Sequence, residues 1–468
     1  MKGILVNPYT PSQRINKIET TSDTLTSRGG LALFSRYIEQ VGILGLLEDG
    51  FGQLRKSRKG LAIWKLFYQV LCFFFDGTSR HLTYFDQLKK DEGYAGAIQM
   101  SPEEMASSHS VKRFFKLFSW VAGGVFRKVL RRMFLWRLRI EHPDVIELGL
   151  DSMVMDNDEA EKRHGASPTP AFAGVKGFQP LQITWQGKVV DAIFRGGKKH
   201  CNFGHTVVHM ITDLVTFIRT HYREDVTILL RVDAGFFDEE NFTAFDALGI
   251  GFTATGKMYE YVQQHVAQVP QALWERYDNG HQGWEFVEFG YRCDSWGRFW
   301  RALYTRPVDE QGQMLLTFAR PENVILTNIG VNAEVLKHLP KTEQNRLKKP
   351  QTLIANHHLR GADELTFRGL KDFGFEQLPF LRFPANSAFY YCMVMAFFLF
   401  ETFKEDVLSE IIPIASYATT VRRVAVDFAA KIVKTSHQII LKVSQAVRTA
   451  LNLDRLWQRC QCPPPIRA

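Results

Sequence analysis

Apolar residues along the chain change period twice, and the two changes divide it. After Gly29-Gly30, the positions Leu31, Leu33, Phe34, Tyr37, Ile38, Val41 and Leu44 recur at helical spacing. A period near 3.6 holds to about Ile140, which predicts a helical region over 1–142. Past Pro143 the pattern becomes short apolar runs. Residues 145–151 and 226–233 read as buried strands, each ending in an acid, Asp151 and Asp233. Residues 178–185 and 188–194 read as a hairpin around Gln186-Gly187, and 206–222 as a helix. Strands on either side of a helix predict an α/β core beginning at 143–250. Strand candidates at 284–291, 298–304, 314–318 and 324–328 then predict a β-rich insertion over 251–335. Helical character returns at about Leu336, giving a core helix within 336–385 and a helical C-terminal region over 386–468. The run 388–400 is the most apolar. It is shorter than the ~20 residues of a spanning helix, so it predicts a buried core helix and no membrane segment.

Composition narrows the class. With 468 residues, 45% hydrophobic and 23% charged, the chain is neither disordered nor collagen-like, and six cysteines are too few for a disulfide scaffold. The start has no secretory pattern, so a cytoplasmic location is expected. Lys and Arg exceed Asp and Glu by 58 − 49 = 9, which suits a polyanionic partner. Two basic runs carry part of that excess. One is Arg55-Lys56-Ser57-Arg58-Lys59. The other, 108–116, sets Lys112 and Arg113 behind serines that can cap a helix. This second run reads either as a solvated helix face or as a recognition helix.

The acids carry the candidate chemistry. At neighbouring strand ends, Asp151 and Asp233 would share one crevice, where a hard divalent ion relieves their repulsion; alternatively each simply ends its strand at the surface. A third acid lies in 356–373. There His357, Arg360, Glu364 and Lys371 are spaced three, four and seven apart, one stripe of a helix. The stripe is either a surface ion-pair ladder or a metal ligand flanked by phosphate-binding cations. Asp363 should point about 100° from Glu364 and ranks second as a ligand. Asp156, Asp158 and Glu159 read as a solvated loop. Cys201 with His200, His205 and His209, and the pair Cys460 and Cys462, are weaker metal or thiol candidates. Trp284, Trp296 and Trp300 would either pack the β-rich stretch or stack on an unpaired base.

In these residues the chain resembles insertion-sequence transposases of the DDE class, specifically the branch with a Tyr-Arg-Glu-Lys signature. Arg360, three residues, Glu364, six residues and Lys371 match it, with His357 where the branch has Tyr. The Thr26-Ser27-Arg28-Gly29-Gly30-Leu31 lead-in, 110–115 and 177–181 are also similar, so the likeness covers nearly the whole chain. It implies an RNase H-like catalytic core with a β-rich insertion, flanked by a helical DNA-binding N-terminal region and a helical C-terminal region. It implies Asp151, Asp233 and Glu364 as catalytic residues binding two Mg²⁺ or Mn²⁺ ions. His357, Arg360, Lys371, Lys112, Arg113, Arg55 and Lys56 would contact DNA, with Trp296 receiving a base. The implied activity is cutting transposon ends and joining them to target DNA, by a homodimer acting on terminal inverted repeats in a bacterial nucleoid. A DNA-binding regulator without catalysis, or a nuclease of the class that cuts without joining, are the rival readings.

Overall fold

Residue 15 and residues 17–55, 59–159, 163–169, 175–280, 282–308 and 323–466 are described by the computed structural model. Lys56 and the strand candidate at 314–318 lie outside them.

The N-terminal part begins with a strand, β1 (Thr24–Thr26), and continues as helices α1 (Leu31–Val41), α2 (Ile43–Phe51), α3 (Ile63–Asp76), α4 (Phe85–Leu88), α5 (Glu92–Ala97), α6 (Ser108–Lys116) and α7 (Ala122–Glu141). Apolar side chains on almost every position of α3 bury it on all sides. α6 starts where the Ser107 side chain accepts the Ser110 N–H. It buries Val111, Phe114 and Phe115 and leaves Arg113 and Lys116 outside.

The sheet follows. Its strands are β2 (Val145–Ser152), β6 (Leu181–Trp185) and β7 (Lys188–Ile193), with the short β3 (Met155–Asp156), β4 (Ser167–Pro168) and β5 (Lys176–Phe178) forming a small side sheet. Gln186 and Gly187 both take positive φ (46° and 76°), the twist a two-residue hairpin needs. Helix α8 (Thr206–His221) leads to β8 (Thr227–Val232), α9 (Glu239–Ala247) to β9 (Gly251–Thr255), and α10 (Glu260–Ala267) to β10 (Glu275–Asp278), β11 (Gly283–Tyr291), β12 (Trp300–Val308) and β13 (Asn323–Thr327). The nine-stranded order is β10-β11-β12-β13-β9-β8-β2-β6-β7, with only β9-β8-β2 parallel. The β-rich stretch therefore does not stand apart from the core. β9 lies beside β8, and β13 returns beside β9, so β10 to β13 prolong the same sheet.

Helices α11 (Lys341–Leu347), α12 (Pro350–His358) and α13 (Arg360–Phe373) come next. The stripe expected on one helix is split at Leu359. His357 sits in the last turn of α12, while Arg360, Glu364 and Lys371 belong to α13. Helix α14 (Phe383–Phe403) continues through a π-helical turn to Leu408. By length and composition, Phe383–Leu408 could cross a membrane, yet 83% of its most apolar window is buried inside the molecule. α14 packs on α3, α6, α7 and β7, stacking Tyr391 on Phe126 and setting Phe389 edge-on to Phe74. One hydrophobic core thus joins the N-terminal helices, the sheet and α14.

The C-terminal region is not wholly helical. After α15 (Ala418–Val421), a hairpin of β14 (Ala430–Lys434) and β15 (Ile439–Val443) precedes α16 (Gln445–Ala450) and α17 (Leu453–Gln461). In Ala430-Lys431-Ile432 alternate residues are buried, a strand period, and β14 pairs with β1. The Gly29-Gly30 pair explains the close approach beside it: a Cβ on Gly30 would lie 1.8 Å from the Ala425 carbonyl oxygen. Arg28 completes the junction, bonding Asp76 (2.6 Å) and Asp427.

Candidate active site

Strand register brings the two aspartates together. β2 and β8 run parallel, with Gly149 opposite Arg231 and Leu150 opposite Val232. One step further, Asp151 stands beside Asp233 at the same sheet end. Ile146, Leu148 and Leu150 enter the main core on one side of β2. Glu147, Gly149 and Asp151 alternate onto the other side, under α12 and α13.

Both acids are half-buried and both are harder to ionise than usual. Burial, and then the charge of Asp233, pushes Asp151 up to about 7, despite the Ser152 N–H that its carboxylate accepts at 2.6 Å. Burial likewise raises Asp233, opposed by the Gly235 N–H (2.8 Å) and by Arg360. Arg360 lies between the second and third acids, 3.9 Å from Asp233 Oδ2 and 3.6 Å from Glu364 Oε1. Glu364 is exposed, and its charge bears on both aspartates.

α13 is fixed over these strand ends by its neighbouring acid. Asp363 is buried, accepting from Arg231 Nε (3.1 Å) and Thr184 Oγ1 (3.2 Å). Arg231 also reaches Glu147 (2.9 Å) and Asn356 (3.2 Å), so one guanidinium ties β8 to β2, α12 and α13. Gly149 leaves room for this, since a Cβ there would fall 2.5 Å from Asp363 Cγ. Asp363 therefore anchors the helix, its carboxylate already taken up by Arg231 and Thr184. Arg231 was missed in the sequence, although it lies two residues before Asp233 and so on the same strand face.

Two oxygen-donor aspartates whose charges repel suit a hard divalent ion. Glu364 does not close the set as it stands. Its carboxylate faces Arg360, and among the described residues no three His, Cys, Asp or Glu side chains are grouped to hold a metal. Being exposed, it can rotate toward the pair.

Other expected residues fall out differently. His357 is buried, its Nε2 3.1 Å from Thr255 Oγ1, and burial drives it down to about 3. It is a neutral group beneath the site, not a phosphate contact at its surface. Lys371 sits two turns beyond Glu364 and pairs with Glu376 at 3.2 Å. Arg55 donates to the Leu61 carbonyl (2.7 Å). Lys112 and Arg113 lie on the outer side of α6. Trp296 is only 8% exposed and packs on Phe237 (4.9 Å), Phe242 and Tyr291, so it has no free face for a base. Trp300 is buried too, and the Trp284 ring lies tilted against His358, centroids 4.7 Å apart. Cys201 approaches the site, its Sγ 3.3 Å from Ser152 Oγ, and burial raises its thiol pKa. His205 pairs with Glu240. Cys460 is buried and Cys462 exposed, both free thiols.

A family profile described as "Transposase DDE domain group 1" matches residues 11–462. The chain belongs to this transposase family. No curated protein matches this DDE transposase-family sequence. Among solved structures it is similar to the one titled "Cryo-EM structure of piggyBac transposase synaptic complex with hairpin DNA", with a TM-score of 0.41 and 11% identity over 94% of this chain and 83% of that one.

Proposed function

We propose that this DDE-family chain cuts transposon ends and joins them to target DNA, with Asp151, Asp233 and Glu364 as catalytic carboxylates in an RNase H-like core. The observation that carries the proposal is the register that sets Asp151 beside Asp233 at parallel strand ends, with α13 laid across them. Arg360, Glu364 and Lys371 keep the spacing of the Tyr-Arg-Glu-Lys branch, and we assign the chain there.

Asp151 and Asp233 would hold divalent ions, two Mg²⁺ or Mn²⁺, with Glu364 turning in from Arg360 to complete the set. Such ions, when bound, activate the attacking hydroxyl and stabilise the leaving oxygen of an in-line displacement. Arg360, once released from Glu364, presents a planar fork to a phosphate. Arg231, through Asp363, keeps α13 at the strand ends. Double-stranded DNA is the substrate, in the form of terminal inverted repeats and target. Two chains would act as a dimer so that both ends are cut together.

The placement of Arg360 between Asp233 and Glu364 favours a second reading, DNA binding without cleavage. One experiment separates the two. Wild type and Glu364→Gln are incubated with Mg²⁺, labelled end-bearing duplex and target plasmid. Wild type should release and join the ends, while the variant binds but does neither. A variant that still cuts removes Glu364 from the mechanism, and a wild type that only binds selects the second reading. Release without joining marks a nuclease.

A further inference from the structure

Four cations from three separate stretches of chain line a cleft of about 440 Å³: Arg80 after α3, Lys112 and Lys116 one turn apart on α6, and Arg163 beyond β3. Among the described residues none of the four is in an ion pair. The nearby Asp86 carboxylate is taken up by the Ser108 N–H (2.9 Å) and Oγ (2.7 Å). One acid, Glu159, lines the cleft, and Gln377 holds it through an amide at 2.8 Å. The balance is four positive groups against one negative, with His81 besides.

The cleft is joined to the acids by two short pieces of chain. From Asp151 the backbone reaches Asn157, on the cleft wall, within six residues. From Glu364, α13 advances about 10 Å to Lys371, at 1.5 Å per residue, and then runs on to Gln377 and Leu378 on the opposite wall. Asn157 is fully buried and ties these walls together: it donates to the Glu376 carbonyl (3.0 Å) and accepts the Leu378 N–H (3.1 Å). A basic surface is thus held in fixed relation to the strand-end aspartates, with Lys371 between.

We infer that this cleft grips the internal sugar–phosphate backbone of the duplex whose reacting bond lies at Asp151 and Asp233. The inference rests on the DNA-cleaving reading and adds Arg80, Lys116 and Arg163 to the residues that hold DNA. Contacts of this kind position the duplex and carry no sequence information. Each phosphate neutralised on B-DNA contributes about 0.9 to the fall of log affinity with log salt.

The test is the salt dependence of binding to a blunt linear duplex, prepared with and without 5′ phosphates. The variants are Lys112→Ala with Lys116→Ala and, for the same charge change outside the cleft, Lys89→Ala with Lys90→Ala. Lys89, Lys90 and Lys116 are exposed and Lys112 is half-buried on the outer side of α6, so the fold should survive. The cleft pair should lower the slope by about 1.8, equally for both duplexes and for any sequence. The outer pair should leave it unchanged. If the cleft variant kept the wild-type slope, or lost it only on the 5′-phosphorylated duplex, the inference would be overturned while the cleavage reading stood. If wild type bound neither duplex, both would fall.

Discussion

Arg231 and Asp363 form an ion pair between strand and helix, 3.1 Å from Nε to Oδ2, with both side chains nearly withdrawn from solvent. Breaking a buried pair by removing one partner is costly, because the other charge stays behind unpaired. Asp363→Ala leaves Arg231 with Glu147 as its remaining acid, so it should destabilise the protein by about 2 kcal/mol, read as a lower denaturation midpoint. It should also slow end cleavage, since α13 carries Glu364. Arg231→Met should cost less than Arg231→Gln if its apolar chain fills the space; equal losses would point to the hydrogen bonds to Glu147 and Asn356 as the dominant contribution.

Asp151 gives a pH-dependent stability that a single substitution isolates. Its folded pKa, about 7, lies above the ordinary 3.8. Between those values the folded state holds a proton that the unfolded state has lost, so stability falls as pH rises through this window. Asp151→Asn cannot ionise. Without divalent ions, variant and wild type should have similar stability near pH 4. The variant should become the more stable as pH rises to 7 and beyond. Parallel denaturation curves across that range would show that Asp151 is not strained by its surroundings.

Arg360 should have opposite effects on metal and on DNA. Its guanidinium lies where a cation between Asp233 and Glu364 would feel it. Arg360→Ala should therefore bind Mn²⁺ several-fold more tightly, measured by calorimetry, yet bind DNA more weakly and cut it more slowly. Weaker Mn²⁺ binding would mean that Arg360 organises the carboxylates and does not compete for them.

Two aromatic residues near the β-rich edge should separate cleanly. Trp296→Ala removes a buried ring and should cost about 3–5 kcal/mol. Phe299 is 62% exposed beside Arg292, and Phe299→Ala should change stability by less than about 0.5 kcal/mol. Equal losses in thermal unfolding would contradict the burial of Trp296 against Phe237, Phe242 and Tyr291.

The strand pair at the centre was readable because an apolar run closed by an acid has few other meanings. The Gln186-Gly187 hairpin was readable from turn chemistry that is wholly local. The divergence of Asp363 and Glu364 also followed from helical geometry. What could not be read depended on distant partners. Nothing at Leu359 marks a break, with neither Gly nor Pro at that position, so His357 looked like part of one continuous stripe. β14 is a short run among helices, and only its pairing with β15 on one side and the distant β1 on the other makes it a strand. Arg231 is a charged residue in an apolar strand, and only the overlying helix reveals its three partners. Trp296 needed Phe237 and Tyr291 in place before its burial could be known.

The pairing of β1 with β14, locked by Arg28 on an aspartate 399 positions away, has a consequence for biosynthesis. The first strand leaves the ribosome long before its partner exists. The amino-terminal helices must wait, with Gly29-Gly30 uncovered, until almost all of the polypeptide has emerged. A product truncated by translation or proteolysis before Ala430 would lack this clasp, so copies interrupted late in the reading frame should be unstable as well as shortened.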